Sequence, residues 1–385
     1  MISVVVHPGS ISGPYSLQLA NALTKYARVA YVLDTRSNNK YYENTLVKEI
    51  EPLKFKKPRI REMSGFIEMY ILSKKIRRFK PDIIHFQGNG IWESVLLRFL
   101  RKYLVINTVH DPIKHIDYRK ALNIWTMKDM IKKSSGIVVH SNGLKKILQN
   151  YNTVDSSKIF VHPHGLFDYY RKFSSQVKKR EKTLLFFGNF RYNKGPDLLL
   201  KSFEIIKDDI PDWRLIMAGQ VSKASNKTLS FKIKKAVVGS EGLSNEIVYK
   251  YKENLGNQID VKNRFIEDDE VWELFSTAGI VVLPYRHGSQ SGVLAIAAAF
   301  GCPVLATKVG ALPELLVNEK HALLVQPESI EALQYGLVRM AGDDKLRDKM
   351  GTQLLELGEK EWSWDVIASG TIGFYNRMLN QPILR

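Results

Sequence analysis

Two loops of this chain carry residues suited to holding a phosphate. The first, GNFRYNKG over 188–195, sets Arg191 and Lys194 between glycines directly after the apolar run TLLFF. An arginine can fork onto two phosphate oxygens, and a lysine adds a mobile point charge. A solvated charged loop is the plainer alternative, but two cations beside glycines at the end of an apolar run favour an anion. The second loop, over 284–292, follows IVVL and runs through Ser289-Gln290-Ser291-Gly292 into small apolar residues that begin at Val293. A helix starting there would aim unpaired N–H groups at the loop, which suits the same anion. A third candidate, His110-Asp111-Pro112, is delivered by the run LVINTV over 104–109. Parallel sheets place functional residues at such carboxyl ends. His85 and His115 are lesser candidates of the same kind.

The elements that must position these residues follow one grammar, stated twice. The run 280–283 is too short for a helix with its own core and suits a buried strand. Pro284 stops it, a helix runs from Val293 to a stop at Gly301, and Pro303 leads into a second strand over 304–306. That order is a βαβ unit of a doubly wound α/β sheet. The first half opens the same way, with a strand over 2–6, the glycine-bearing loop HPGSISGP over 7–14, and a helix over 16–26. Further strands are expected over 29–33, 82–86, 104–109, 137–140 and 159–161, with a helix over 144–149. The second half restarts with a strand over 183–187, Pro196 opening a helix over 197–206, and a strand over 214–218. A helix over 271–278, a strand over 322–325 and helices over 330–340, 345–359 and 362–379 complete it. Residues 221–246 are rich in Lys, Ser and Asn and read as an irregular helix or an insertion. A length of 385 residues exceeds what one core supports, so two domains are expected, joined by the charged stretch YYRKFSSQVKKREK over 169–182.

Charge divides along the same line. Residues 1–180 hold 32 Lys and Arg against 13 Asp and Glu, whereas residues 181–385 hold 25 against 26. The formal excess of +18 therefore belongs to one half, as a basic surface facing something anionic: phospholipid, a pyrophosphate-linked acceptor or nucleic acid. The segment 64–80, SGFIEMYILSKKIRRFK, reads either as a helix packed on the sheet with cations at its C-terminus or as a helix lying on an anionic membrane. Arg98, Arg101 and Lys102 would add charge in the second case. No nucleic-acid-binding motif appears, and the basic stretches lack interleaved aromatics, so no nucleic-acid partner is expected. Nor is a membrane span or a signal peptide, since the opening MISVVVHPGS has no basic residues before its apolar run. The single cysteine, Cys302, excludes an intrachain disulfide, reads as a small buried hydrophobe and fits a reducing cytoplasm.

The stretch 280–316 resembles the donor-site segment of the retaining glycosyltransferases of family 4. Gly301-Cys302-Pro303-Val304 and Ala311-Leu312-Pro313-Glu314 fit that family's pattern, and Gln290-Ser291-Gly292 resembles a Gln-Ser-Gly variant of its loop. The family's two usual acidic positions fall on Ser289 and Ala297 here. The resemblance implies the GT-B fold, two Rossmann-like domains facing a cleft. These would be a basic acceptor domain over 1–170, a nucleotide-sugar domain over 171–360, and a helix over 361–385 returning to the first domain. It implies that Arg191 and Lys194 hold the donor diphosphate, with Gly13 beside it, and that His110, next to Asp111, is the active-site histidine near the transferred sugar. Phe265 and Ile266 would meet the nucleotide base, and Ser289, Gln290, Ser291, Gly292 and Val293 the sugar and phosphates.

The implied activity is retaining transfer from a nucleotide sugar, a UDP-sugar ranking ahead of a GDP-sugar, to a lipid-linked saccharide or polysaccharide repeat unit. It would take place in the cytoplasm or on the inner face of the membrane. No cofactor is implied. The absence of an Asp-x-Asp motif in a suitable loop points to cations in place of a metal. The competing readings are a non-catalytic glycosyltransferase-like binding protein, suggested by Ser289 and Ala297, and a nucleic-acid-binding protein, suggested by the charge alone.

Overall fold

Short Val-, Ile- and Leu-rich runs bounded by Gly, Pro and Asn form parallel strands covered on both faces, which is why they read as continuous apolar stretches. The computed structural model describes every residue except 10–12, 37–44, 60–61, 111–119, 153, 175, 177, 222–244, 289 and 381–385. The chain divides into two units, one of residues 1–165 with 361–385 and the other of residues 166–360.

The first unit is built on a seven-stranded sheet. Its strands are β1 (Ile2–His7), β2 (Ala27–Asp34), β3 (Glu51–Phe55), β4 (Ile83–Phe86), β5 (Leu104–Thr108), β6 (Gly136–Val139) and β7 (Ile159–Val161). They lie in the order β3-β2-β1-β4-β5-β6-β7, each pair parallel. Helices α1 (Pro14–Leu23), α2 (Gly65–Phe79), α3 (Ile91–Phe99), α4 (Lys120–Lys133) and α5 (Asn142–Asn152) connect them. The second unit carries β8 (Thr183–Phe187), β9 (Arg214–Gly219), β10 (Ile259–Asn263), β11 (Ile280–Leu283), β12 (Val304–Thr307) and β13 (Leu323–Val325). Their order is β10-β9-β8-β11-β12-β13, again parallel. Its helices are α6 (Pro196–Ile206), α7 (Asn245–Leu255), α8 (Asp268–Thr277), α9 (Gly292–Ala299), the short α10 (Leu312–Leu315), α11 (Ile330–Gly342) and α12 (Asp344–Glu361). The last helix, α13 (Trp364–Asn380), belongs to the first unit. There Phe374 stacks on Phe160 and Lys25 of the segment after α1 pairs with Asp365.

Both sheets reverse direction once, between β1 and β4 and between β8 and β11. Outside the carboxyl ends of strands flanking such a reversal, neighbouring loops diverge and leave room for a ligand. The loops 188–195 and 284–291 follow β8 and β11, so the two phosphate-suited segments flank the second unit's reversal.

Three sequence expectations change. Strand β3, EPLKF, was not expected: it buries only Leu53 and Phe55, because it is an edge strand, where Pro52 and exposed Lys54 are tolerated. Helix α2 packs through Met69, Leu72, Ile76 and Phe79, while Phe66, Ile67, Tyr70 and Ile71 face solvent. The expected linker begins inside the second unit: Tyr169 is buried in a 3-10 turn and its hydroxyl donates to Asp268 at 2.9 Å.

Gly195 closes the first phosphate-suited loop with φ +64°, and a Cβ there would stand 1.9 Å from the Pro284 carbonyl oxygen. Gly195→Ala is therefore expected to lower stability by roughly 2–4 kcal/mol in urea unfolding. A variant as stable as the parent would contradict this packing of one loop on the other.

Candidate functional site

The second unit joins its two loops through an arginine. Arg286, whose side chain is only 7% exposed, forks onto Asp197 at 2.7 and 2.5 Å. Its guanidinium also donates to the Tyr192 carbonyl at 2.9 Å and lies 4.1 Å above the Tyr192 ring. The Arg286 backbone N–H donates to Asn193 O at 3.1 Å. Asp197 sits in the first turn of α6, where the helix dipole favours a carboxylate. Loop 188–195 is anchored from its other side by Phe190, fully buried, and by backbone bonds from Gly188 to Ala218 and from Phe190 to Gln220.

This clasp sets Lys194 beside the start of α9. The Lys194 ammonium lies 3.8 Å from the centre of the Tyr285 ring. The Tyr285 hydroxyl meets Ser291 Oγ at 2.9 Å, and that oxygen caps α9 by accepting from Leu294 N at 3.2 Å. Ser291 is thus a buried helix cap with its hydroxyl engaged, and the groups α9 offers an anion are the N–H groups of Gly292 and Val293. Arg191 heads the turn that contains Lys194 and is exposed. Gln290, in the loop before α9, is half-buried, and Ser289 lies outside the described residues. Ala297 is fully buried within α9, so the second acidic position of the resemblance is a core position. Ile266 is buried and Phe265 is exposed, just before α8, whose start is held by reciprocal capping between Glu267 and Glu270.

The first unit presents a different chemistry at its carboxyl edge. His7 ends β1, His85 lies on β4, and His110, His140 and His162 follow β5, β6 and β7. His140 Nδ1 donates to the His162 carbonyl at 3.2 Å, so its Nε2 accepts from His110 Nδ1, also at 3.2 Å. Tyr15 of α1 packs its ring against His110, His140, His164 and Trp364. His85 bridges the Tyr375 hydroxyl of α13 at 2.5 Å and Thr108 Oγ1 at 2.8 Å, a structural role. Burial is the main cause that pushes His85 and His110 down to about 3 and His7, His162 and His164 down to about 4. It also holds His140 well below its ordinary value, and repulsion from neighbouring imidazoles adds to the effect. His110 is therefore a neutral imidazole at pH 7. Asp111 and His115 lie outside the described residues.

Sequence reasoning missed a second clasp. Lys57 Nζ donates to Gly9 O and to buried Glu93 Oε1, each at 2.9 Å, across the reversal between β1 and β4. Gly9, at φ +69°, crosses Gly88 so closely that a Cβ would lie 2.8 Å from it. Gly13 precedes α1 in extended backbone with open space where a Cβ would stand, so nothing local requires glycine there. A repeated pattern of strand runs followed by histidine (ISVVVH, GIVVH, IFVH) was the available signal for the imidazole edge.

Two doubly wound units of this strand order, with an anion-suited loop pair at a reversal, define a GT-B protein. The profile described as Glycosyltransferase Family 4 matches residues 13–166, and that described as Glycosyl transferases group 1 matches residues 170–354. The two profile matches, both to glycosyltransferases, together span most of the chain. A D-inositol 3-phosphate glycosyltransferase of Corynebacterium aurimucosum is 21% identical over 302 residues, covering 74% of this chain and 66% of the relative. The chain spans about half to two thirds of the length of the first curated relatives it matches. Its fold is similar to that of sucrose-phosphate synthase from Thermosynechococcus elongatus, with TM-score 0.71, 16% identity, and coverage of 98% of this chain and 99% of that one. It is also similar to HepE of Anabaena, solved with UDP and glucose, with TM-score 0.69, 14% identity, and coverage of 98% and 100%.

The imidazole edge sets a pH dependence with a definite sign. Histidines whose folded values lie below their ordinary value of about 6.5 bind protons more readily in the unfolded chain, so their contribution is intact above that pH and is lost as pH falls. Each can cost up to roughly 1.4 kcal/mol per pH unit below it, and several together rival a domain's whole stability. The melting temperature is expected to be level from about pH 8 to 7 and to fall steeply from about pH 6.5 to 5. A level profile down to about pH 5 would show that the imidazoles titrate normally.

Proposed function

We propose that this protein is a retaining, metal-independent glycosyltransferase. It would move a sugar from a nucleotide sugar, with UDP as the favoured nucleotide, to an anionic lipid-linked saccharide at the inner face of a membrane. The observation that carries the donor half is the chain Lys194–Tyr285–Ser291, which brings a cation to the start of α9 beside the second sheet's reversal. The HepE structure holding UDP and glucose supports the same donor class. The basic excess of residues 1–180 supports an anionic acceptor.

In the proposed reaction the bond from the anomeric carbon to the donor phosphate oxygen breaks as negative charge collects on the departing diphosphate. Lys194, Arg191 and the N–H groups of Gly292 and Val293 stabilise that charge without having to reorganise, each contributing a few kcal/mol of barrier lowering. An acceptor hydroxyl oxygen attacks the same face of the anomeric carbon. Its proton passes to the leaving phosphate, giving a nucleoside diphosphate and a product of retained configuration. His110, neutral and carrying its proton on Nδ1, is assigned to positioning the sugar, because an imidazole pushed down to about 3 is a weak base at pH 7. Gly13 leaves open space at the start of α1 for substrate, and Phe265 and Ile266 are assigned to the base.

Lys194→Ala is expected to lower turnover of a UDP-sugar by roughly 10²–10³-fold while leaving the thermal unfolding transition in place, and EDTA is expected to change turnover little. Transfer at the parent rate by Lys194→Ala would remove the cation from its role. Strict metal dependence would overturn the cationic reading of the cradle. UDP binding without transfer or hydrolysis of any nucleotide sugar would favour a non-catalytic binding protein instead.

A further inference from the structure

A helix packed on a sheet ordinarily turns polar residues outward. Helix α2 does not. Its buried side is complete in Met69, Leu72, Ile76 and Phe79, yet its first two turns expose Phe66 (52%), Ile67 (64%), Tyr70 and Ile71. Exposed Met63 precedes them. From the third turn the outward residues become Lys74, Lys75, Arg77 and Arg78, followed by Lys80. Among the described residues no carboxylate pairs with these five, whereas nearby Arg98 and Lys133 are matched by Asp129 and Lys57 by Glu93. Aromatic contacts seat the face on the unit: Phe66 meets buried Trp92 edge-on, and Tyr70 meets half-buried Phe99. Beside α3, exposed Trp125 of α4 lies under the Arg98 guanidinium.

We propose that this face docks the first unit onto an anionic phospholipid surface. An interfacial helix gains affinity from apolar side chains entering the acyl boundary and from cations meeting acidic headgroups, and α2 separates these jobs along its length. Each surface lysine or arginine near acidic lipid contributes about 1 kcal/mol, so five cations that no described carboxylate neutralises, two of them resting on the backbone carbonyls of Lys54 and Phe99, suffice with four exposed large apolar side chains for reversible attachment. A nucleic-acid ligand would use the cations and leave the apolar turns in water. A second copy of the chain would meet the like charge of the first. Among the described residues no helix is long and apolar enough to cross a membrane, so attachment through this face is peripheral. The proposal rests on the lipid-linked reading of the acceptor for its purpose; its geometry stands independently of it.

The test is sedimentation of the full chain with phosphatidylcholine vesicles and with vesicles that also contain phosphatidylglycerol. The parent is expected to pellet at least about tenfold more with the anionic vesicles, and less at ~0.5 M than at ~0.1 M salt. Ile67→Ser with Ile71→Ser, and separately Lys74→Glu with Arg78→Glu, are each expected to reduce that binding about tenfold or more while keeping the UDP-induced rise in melting temperature. Equal pelleting with both lipids, or double variants that bind like the parent, would overturn the proposal. So would a dimer lost in the serine variant without pelleting, or charge-dependent binding of an oligonucleotide without pelleting. Lys194→Ala should pellet like the parent, so loss of donor chemistry and loss of docking are read separately.

Discussion

A guanidinium nearly removed from water must be met by a carboxylate, and the second unit's site depends on where that meeting occurs. Breaking such a pair costs far more than an exposed ion pair is worth, because the remaining charge is stranded. Arg286 comes from the loop after β11 and Asp197 from the helix after β8, so satisfying the charge fastens the loops on either side of the sheet reversal. Gly195 permits the approach by taking φ +64° against Pro284. Lys194, one residue earlier, is then held over Tyr285, whose hydroxyl reaches the cap of α9. A mobile cation thereby acquires a fixed position before any ligand arrives, which is what electrostatic preorganisation requires.

The first unit solves the same problem with a different pair. Lys57 and Glu93 cross its reversal beside the Gly9–Gly88 contact, and the edge that follows is lined by imidazoles rather than cations. Burial keeps those rings neutral. The two edges are therefore unlike in charge: one carries Arg191 and Lys194, the other neutral imidazoles.

Much of this was legible in the sequence where the physics is local. The strands over 183–187 and 280–283 are found as expected, since each is a continuous apolar run buried on both faces, and that over 159–161 is found as a half-buried edge strand. Edge strand β3 was invisible because only Leu53 and Phe55 carry its apolar pattern, and Pro52 argues against a strand. In α2, apolar residues at 66, 67, 70, 71, 76 and 79 left a packed helix and a membrane-lying helix both open, because adjacent pairs such as 66 and 67 cannot all point inward, and Met69 and Leu72 join Ile76 and Phe79 in the core. The clasps Asp197–Arg286 and Lys57–Glu93 join residues far apart in sequence, and composition says nothing about such pairs. Ser291, expected as a ligand contact, is found as the cap of α9; a helix cap and a phosphate contact ask for the same residue.

The central claim is that Lys194 and the start of α9 form one diphosphate site, assembled by the Arg286 clasp. A crystal structure of the full chain with UDP tests it most directly. Diphosphate oxygens within ~3 Å of Lys194 Nζ and of the Gly292 or Val293 nitrogen are the expected result. A diphosphate bound elsewhere, with Lys194 still resting on Tyr285, would contradict it.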